Sequence, residues 1–434
     1  MDDTNAGRLL ELADRCLAGG ALGMFRMPEE VATVFERGEG SRIFDVDGRE
    51  YIDYVIGSGP LILGHAHPAV VAAVQEQVGK GTTFYGLNEP AIRLAERVAK
   101  AVPCGEQVRF TASGTEATFY ALRLARSFTE REKVLKFEGG WHGGHDYAQQ
   151  SAAPSRLADY PAPVPDSSGI PGGAAQTVLV TPFNDTEAAV QVIEAHGRDL
   201  AAVIVEPLQR AVPPEPGFLD ALRNATRSHG VVLVFDEIVT GFRLAWGGAQ
   251  ERYGVVPDLA VYGKTISGGH PLAAICGRSD IMVHSDSRRK GREPYVFISG
   301  TMSGNPVSTA AGIATLDELK KDGVYSRLGE LSERLRTGLE ALGRELGLPL
   351  RVMGDGPVLQ PFFTEGEIRN HADVLQADAG TATAFGVELI RRGIFVNPNG
   401  KLYLSLALSD DDIDTTLAAA RGALERAGLK GANP

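Results

Sequence analysis

Apolar and polar residues follow two different periods along this chain. From about residue 60, amphipathic helical segments alternate with short apolar runs, a pattern typical of a parallel sheet packed between helices. The predicted helices cover residues 68–79, 89–101, 115–127, 186–196 and 217–228. The predicted strands cover residues 107–110, 133–137, 177–180, 201–205 and 231–235. The pattern therefore predicts an α/β fold.

The predicted strands differ in polarity. The last three are short, rich in Val and apolar on both faces, which suits the interior of a parallel sheet. The strands at 107–110 and 133–137 carry polar residues, so we expect them nearer an edge. Residues 151–176 are rich in Pro, Ala, Ser and Gly and have no period. They predict a long loop, and such loops are often functional or mobile.

The two ends of the chain are organised differently. Residues 7–20 predict an amphipathic helix, and residues 42–53 alternate around Asp47-Gly48 as in a β-hairpin. The remaining predicted elements are helices at 307–320 and 324–345, a strand at 401–406 and a final helix opening with the acidic run Asp410–Asp414. The C-terminal part therefore predicts a smaller α+β unit.

Length and charge narrow the class of protein. A chain of 434 residues fits one large domain plus a smaller one. We expect a large domain at 61–310, with residues 1–60 and 311–434 forming the small one. The net charge of -12 argues against nucleic acid or an anionic membrane as partner. No apolar run approaches the roughly 20 residues that cross a bilayer.

The cysteines and the N-terminus indicate the compartment. The three cysteines cannot all pair within the chain and lack the spacing of metal ligands, so we expect no metal site. The N-terminus lacks the basic-then-apolar order of a signal peptide. We therefore expect a cytoplasmic protein.

A small-residue turn at Ser113-Gly114-Thr115 joins the strand at 107–110 to a helix. Its N–H groups and hydroxyls would lie at the positive end of that helix, where phosphates bind. Ser followed three residues later by Glu116 is also an ordinary helix cap. Taken alone, the segment favours the cap.

Two further polar residues follow apolar strands. Asp236 and Glu237 follow the apolar residues 231–235 at the carboxyl end of that strand, where ligands of open α/β sheets bind. A carboxylate there can pair with a pyridinium nitrogen. Lys264 follows another apolar run, and a partly buried lysine becomes a nucleophile. A helix cap for Asp236 and a solvated loop position for Lys264 are the alternatives.

An aromatic turn and another strand end complete the pattern. Trp141 lies among glycines, where its ring could stack on a flat cofactor or pack in the core. We assign His142 only a supporting contact. Glu206, which follows the strand at 201–205, could orient a ring oxygen or a substrate group, or cap a loop. A phosphate turn, an aromatic turn, a strand-end carboxylate and a strand-end lysine are what a pyridine aldehyde phosphate requires.

In chain order, these motifs resemble the class III aminotransferases of pyridoxal-phosphate (PLP) fold type I, and among them the glutamate-1-semialdehyde 2,1-aminomutase group. The resemblance is carried by Ser113–Ala117, Gly140–Gly143, Val234–Glu237, Gly263-Lys264 and Ser299–Pro306. It extends to Asp45–Gly48, Gly64–Pro68, Thr240–Arg243 and, less specifically, Pro165–Pro171. It implies a mainly parallel seven-stranded sheet between helices and a smaller α+β domain from both termini.

The resemblance also implies residue roles. Lys264 would hold PLP as a Schiff base and carry a proton, while Asp236 would pair with the ring nitrogen. The other cofactor-binding residues would be Ser113, Gly114, Thr115, Trp141, His142, Glu206, Val239 and Thr301. Thr301 would reach the phosphate of a neighbouring subunit, which implies a homodimer with shared sites. Arg26 and Arg210 are candidates to bind a substrate carboxylate.

The chain departs from the aminomutase pattern at substrate-side positions. Gly23 stands where that group has Ser, Gly57–Pro60 lacks its usual Trp, and Leu208–Ala211 replaces a Gly-Asn segment. Trp141 replaces Tyr, and stacking survives that change. We therefore expect an aminotransferase that moves an amino group between an amino acid or amine and a keto acid or aldehyde. An intramolecular 2,1-amino shift is the alternative, followed by a racemase and an idle PLP-binding regulator.

Overall fold

The computed structural model describes residues 4–431, which form two compact units. The small unit comprises the chain up to His67, Ser326–Glu365 and the chain from Ala377 on. The large unit comprises Pro68–Tyr325 and Gly366–Gln376. Among the described residues, no helix is long and apolar enough to cross a membrane. The domain boundaries expected from the sequence stay predictions, because compactness does not show independent folding.

The secondary structure alternates as the sequence pattern predicts. The strands are β1 (Phe35–Glu39), β2 (Arg42–Asp45), β3 (Glu50–Asp53), β4 (Gln107–Thr111), β5 (Lys133–Phe137), β6 (Val178–Thr181), β7 (Leu200–Val205), β8 (Val232–Glu237), β9 (Leu259–Tyr262), β10 (Ala273–Gly277), β11 (Leu350–Asp355), β12 (Val358–Phe363), β13 (Ile394–Phe395) and β14 (Leu402–Tyr403). The helices are α1 (Asn5–Cys16), α2 (Pro68–Lys80), α3 (Glu89–Ala101), α4 (Gly114–Thr129), α5 (Gly172–Ala175), α6 (Thr186–His196), α7 (Phe218–His229), α8 (Gly248–Tyr253), α9 (Ser279–Met282), α10 (Pro306–Leu319), α11 (Val324–Glu345), α12 (His371–Gln376), α13 (Ala379–Arg391) and α14 (Asp410–Gly431).

A seven-stranded sheet of order β4-β10-β9-β8-β7-β5-β6 forms the centre of the large unit. Only β10 runs antiparallel to its neighbours, β4 and β9. Every residue of β7, β8 and β9 is buried, as expected for parallel strands covered on both faces. Apolar side chains of α4 pack against these strands in one core cluster. The predicted mainly parallel sheet is confirmed.

The predicted edges are half right. β4 is an edge strand, but β5 lies between β7 and β6, and β6 is the other edge. β5 accommodates its buried lysine because Lys136 Nζ donates a hydrogen bond to Gln150 O. All four residues of β6 are buried, so its sequence has the apolar character of an interior strand although it lies at the edge. The long loop lies along its outer side, where Val180 N–H donates to Pro161 O at 3.0 Å.

The long loop at 151–176 contains one short helix, α5, near its end, and its earlier part is held by side chains. The Asp166 carboxylate accepts hydrogen bonds from the N–H groups of Ala152 and Ala153. The buried Glu138 carboxylate accepts from Ala158 N–H at 2.7 Å and from the Tyr160 hydroxyl. The side-chain carboxylates of exposed Asp166 and buried Glu138 therefore supply partners that this loop backbone lacks.

The small unit contains two sheets. One has the order β1-β2-β3-β13, and the other is the antiparallel sheet β11-β12-β14. The predicted hairpin is confirmed, because β2 pairs antiparallel with β3. One apolar cluster joins α11, α13 and α14 to both sheets. Its chain comes from both termini, as the sequence predicts.

Two predictions at the ends of the chain are wrong in extent. The first helix stops at Cys16 instead of residue 20, because Leu17 is extended and Gly19 is left-handed at φ 67°. The strand predicted at 401–406 is reduced to two residues in β14. The final helix does open with the acidic run, whose charges favour a helix N-terminus.

Helix α10 packs closely on the short turn that follows β9. A Cβ added at Gly312 would come 2.4 Å from Ile266 O, which is backbone and cannot rotate away. Gly268 lies in the turn, and a Cβ added there would come 2.6 Å from Thr315 Oγ1 of α10. The glycine in α10 is therefore needed for close contact with the turn.

We predict opposite effects for two Gly→Ala substitutions in helices. Gly312→Ala displaces Ile266 and should lower the unfolding temperature. Gly329→Ala in α11 meets nothing within 4 Å and should stabilise by about 0.5–1 kcal/mol, because alanine is the better helix former. Thermal unfolding of both variants checks this. Equal changes of the unfolding temperature in the two variants would contradict the close contact between Gly312 and Ile266.

Candidate active site

Strands β8 and β9 bring Asp236 and Lys264 to one edge of the large sheet. The strands are parallel, and Asp236 lies opposite Val261. Lys264 follows Tyr262, the last residue of β9, after a single glycine. Because parallel strands end on the same side, the carboxylate and the amine both lie at the carboxyl edge, where α/β sheets bind ligands.

Lys264 occupies an unusual backbone conformation. It begins the 3-10 turn Lys264–Ser267 with φ 45°, in the left-handed region that residues other than glycine seldom adopt. Ser267 Oγ donates a hydrogen bond to Lys264 O at 2.6 Å. The residue is half-buried, unlike a solvated loop lysine. The surrounding structure therefore fixes the start of this side chain.

His142 holds the Asp236 carboxylate. His142 Nδ1 lies 2.7 Å from Asp236 Oδ2, and Ile238 N–H donates to Asp236 Oδ1 at 3.2 Å. Burial lowers the pKa of His142 to about 3, so the imidazole is neutral at neutral pH. A neutral imidazole donates through Nδ1–H, which keeps the carboxylate in the role of acceptor. His142 thus supports Asp236, and its contact with a cofactor stays a prediction.

The Ser113 turn forms the helix cap that the sequence allowed. Ser113 Oγ accepts a hydrogen bond from Glu116 N–H, and the Glu116 carboxylate accepts from Ala112 and Ser113 N–H groups. The first-turn N–H groups of Gly114 and Thr115 have no carbonyl partner within α4 and point out of its positive end. The cap therefore leaves donors for a phosphate, and the phosphate role of this turn stays a prediction.

Close contacts show that the separate pieces converge. A Cβ added at Gly114 or at Gly263 would come 3.0 or 2.9 Å from Ile238 Cδ1. A Cβ added at Gly143 would come 2.7 Å from Thr115 Cα. The phosphate turn, the segment after Asp236, the lysine turn and the aromatic turn therefore meet at one place.

The aromatic turn exposes its tryptophan. Trp141 is 41% exposed, so it does not pack in the core as the alternative requires. The backbone N–H of Trp141 donates a hydrogen bond to Glu206 Oε2 at 2.9 Å, so Glu206 caps this turn. Glycines before and after it adopt φ 83° at Gly139 and φ 100° at Gly143. The Trp141 side chain is thus partly open to solvent. Contact of Trp141 or Glu206 with a cofactor stays a prediction.

Arg210 is engaged with backbone near the aromatic turn. Its Nε donates to Gly139 O at 2.9 Å and its Nη2 to Ala152 O at 3.0 Å. Its guanidinium carbon lies 5.7 Å from the centre of the Trp141 ring. Arg210 therefore ties the aromatic turn to the start of the long loop. Substrate binding by Arg210 stays a prediction.

The remaining predicted residues lie in different surroundings. Val239 is buried. Thr301 is exposed and lines a cleft together with Phe84 and Tyr85. Arg26, in the small unit, is exposed and bonds Gly19 O and the Asp14 carboxylate. Their proposed roles toward cofactor and substrate stay predictions.

Two buried cations were missed by the sequence analysis. Lys136 is 1% exposed, and burial lowers its pKa to about 7. Arg243 is fully buried behind the lysine turn. The polar position inside the apolar run at 133–137 was a signal for Lys136, but it was attributed to a sheet edge. For Arg243 the signal was its place in a motif of the resemblance.

The residues at this edge fit a pyridine aldehyde phosphate. An amine, a buried carboxylate held as acceptor, an exposed aromatic ring and free first-turn N–H groups are the donors and acceptors that such a molecule needs. Because Gly114 and Gly263 have no Cβ, the Ile238 side chain packs closely against both turns. The arrangement could hold such a molecule covalently and keep its ring nitrogen protonated.

Comparison with known proteins points to the same chemistry. The family model for aminotransferase class-III matches residues 26–424. A glutamate-1-semialdehyde 2,1-aminomutase 2 from Brevibacillus brevis is 42% identical, over 98% of this chain and 100% of the relative.

Solved structures agree with the family match. An omega-transaminase from Sphaerobacter thermophilus is 34% identical, with a TM-score of 0.93 and 98% of each chain covered. A transaminase with PLP bound is 30% identical, with a TM-score of 0.90 and 98% of each chain covered. Both cover the small and the large unit of this chain.

We predict that Lys136 makes stability depend on pH. Its pKa is lowered on folding from 10.5 to about 7, so between these values only the unfolded chain binds the proton. Stability should therefore rise with pH, by at most about 1.4 kcal/mol per unit. Unfolding at pH 7 and pH 9 should show this rise in the parent protein and lose it in Lys136→Met.

Lys133→Met is the matched control for this measurement. Lys133 lies on the same strand but pairs with Asp199 at the protein surface. Its variant should keep the pH dependence of the parent protein. An equal loss in both variants would rule out Lys136 as the source.

Proposed function

Because the chain belongs to the class-III aminotransferases, which are PLP-dependent enzymes of fold type I, we propose that it catalyses a glutamate-1-semialdehyde-type 2,1-amino shift. The predicted family, fold and cofactor are confirmed. Near-complete coverage of the Brevibacillus brevis aminomutase is the observation that carries the proposal. It favours the intramolecular alternative over a general aminotransferase.

The residues of the site have separate tasks in this proposal. Bound PLP supplies an aldehyde that takes up the amino group and a ring that accepts electrons. Lys264 Nζ would hold the aldehyde and, once displaced by substrate, move a proton to and from the substrate carbons. Asp236, held by His142, would keep the ring nitrogen protonated.

The surrounding turns would orient cofactor and substrate. First-turn N–H groups of Gly114 and Thr115 would bind the phosphate, and Trp141 would cover the ring. A glutamate semialdehyde keeps one carboxylate, which Arg26 would bind through its guanidinium. Arg210 already bonds two backbone carbonyls, so it has fewer donors left for that carboxylate.

Amino transfer between two molecules is the second candidate. The departures at Gly23, Gly57–Pro60 and Leu208–Ala211 favour it, because they fall on substrate-side positions of the aminomutase pattern. The likeness to the Sphaerobacter thermophilus omega-transaminase supports it as well. Both reactions use the same Lys264 and Asp236 and differ in the need for an acceptor.

Turnover without a keto acid separates the two candidates. We predict that the PLP-loaded enzyme converts 4-amino-5-oxopentanoate into 5-amino-4-oxopentanoate with no added acceptor. Product is measured by chromatography and mass spectrometry. Lys264→Ala should abolish both turnover and the visible absorbance of lysine-bound PLP. Strict dependence on pyruvate or another keto acid would replace the amino shift with transamination.

We also propose a cytoplasmic homodimer with shared sites, in which Thr301 serves the neighbouring subunit. Apolar side chains of the large unit lie exposed on the two segments next to Thr301 and its cleft; they are Phe84, Tyr85, Leu87, Phe297 and Met302. Exposed apolar residues in neighbouring segments are typical of protein interfaces. The three free cysteines are compatible with a reducing compartment.

Subunit mixing tests the shared site. Lys264→Ala and Thr301→Asp should each be nearly inactive, since the first removes the amine and the second repels the phosphate. Mixed dimers should recover activity, because one of their two sites combines an intact Lys264 with an intact Thr301 from the other subunit. Thr301→Ser should stay active. No recovery, with light scattering showing dimers, would exclude sharing through Thr301.

A further inference from the structure

Arg243 is the largest side chain that the described residues bury completely. Burying a guanidinium is unfavourable unless its N–H groups are bonded, and arginine is among the residues least often buried. Its position in the large unit, behind the lysine turn, therefore requires an explanation.

The contacts of Arg243 lead to the lysine turn. Its Nη2 donates a hydrogen bond to Thr265 Oγ1 at 3.0 Å, and Thr265 is the residue directly after Lys264. Its Nε donates to Val239 O at 2.7 Å. Thr265 is itself fully buried. One rigid planar cation thus joins the segment after Asp236 to the residue beside the amine.

Glu237 fixes the segment that carries Arg243. Its buried carboxylate accepts hydrogen bonds from Thr240 Oγ1 at 3.0 Å, Ala249 N–H at 2.6 Å and Gln250 Nε2 at 3.0 Å. These donors lie before and after Arg243 in the chain. The carboxylate therefore closes the segment into a loop and holds the guanidinium in place.

The lysine turn needs such a support. Lys264 has φ 45°, a strained conformation for a residue with a Cβ. Helix α10 contacts the turn at Ile266 and Gly268. The Arg243 contact adds a directional bond at Thr265, one residue from the amine. The packing of α10 restricts where the turn can lie, and the hydrogen bond from Arg243 to Thr265 fixes the orientation of the turn.

We propose that Arg243 is a positioning residue that, through the Thr265 hydroxyl, holds the Lys264 turn in the conformation from which the amine reaches PLP. It acts through Thr265 and touches neither cofactor nor substrate. The proposal rests on the role of Lys264 given above and does not depend on whether the amino shift or transamination follows.

Two substitutions of Thr265 separate positioning from packing. Thr265→Val keeps the shape and removes the hydrogen bond. Thr265→Ser keeps the hydroxyl and removes a buried methyl group. If the hydroxyl positions Lys264, the valine variant should capture PLP more slowly and lose about tenfold or more in kcat, with KM nearly unchanged. The serine variant should stay within about threefold of the parent enzyme.

The main readout is the growth of visible absorbance when PLP is added to the cofactor-free protein. This signal reports formation of the Lys264–PLP bond and needs no substrate, so it is independent of the reaction proposed above. Lys264→Ala gives the baseline. If that variant shows the parent absorbance, the role of Lys264 fails, whatever Thr265 does.

Variants of Arg243 complete the test. Arg243→Lys retains a charge but only one compact donor group, and it should fall between the parent and Thr265→Val. Combining it with Thr265→Val should add little further loss, because both remove the same bond. A serine variant that is worse than the valine variant, or additive losses in the double variant, would overturn the proposal.

Discussion

The parallel pairing of β8 with β9 is the constraint on which the site depends. It sets Asp236 and Lys264 at the same edge, and the pleat of β8 turns consecutive residues to opposite faces. Asp236 therefore contacts His142, while Glu237 contacts the loop that carries Arg243. The two adjacent carboxylates thus have different partners. Asp236 belongs to the candidate site, and Glu237 holds the loop on the opposite face of the strand. A slip of one residue in this pairing would exchange them.

Much of the sheet could be predicted from sequence, because buried parallel strands are continuous apolar runs. The same signal fails for the order of the strands. The apolar sequence of β6 indicates that the strand is buried. It does not indicate whether the strand is buried by another strand or, as here, by the loop at Pro161. The polar residue in β5 suggested solvent, whereas Lys136 finds a buried carbonyl at Gln150. Both facts depend on residues distant in the chain.

The candidate site also has features that the local sequence predicts and features that depend on residues distant in the chain. Lys264 and Asp236 could be predicted because each follows a strand, and strand ends of one direction share an edge. The capping carboxylate of Glu116 was visible as a local spacing, and it forms without excluding the first-turn donors of α4. The hydrogen bond between Arg243 and Thr265 joins segments that follow two different strands, β8 and β9, and no local pattern in the sequence encodes it.

The loop that borders β6 has a consequence for how molecules of this protein meet. An outer strand with open N–H and C=O groups can recruit a strand from another chain, which begins aggregation. Here Pro161 already takes the Val180 N–H, so that position cannot template a foreign strand. Proteolytic cutting of the loop would thus free this edge of the sheet to pair with a strand of another chain.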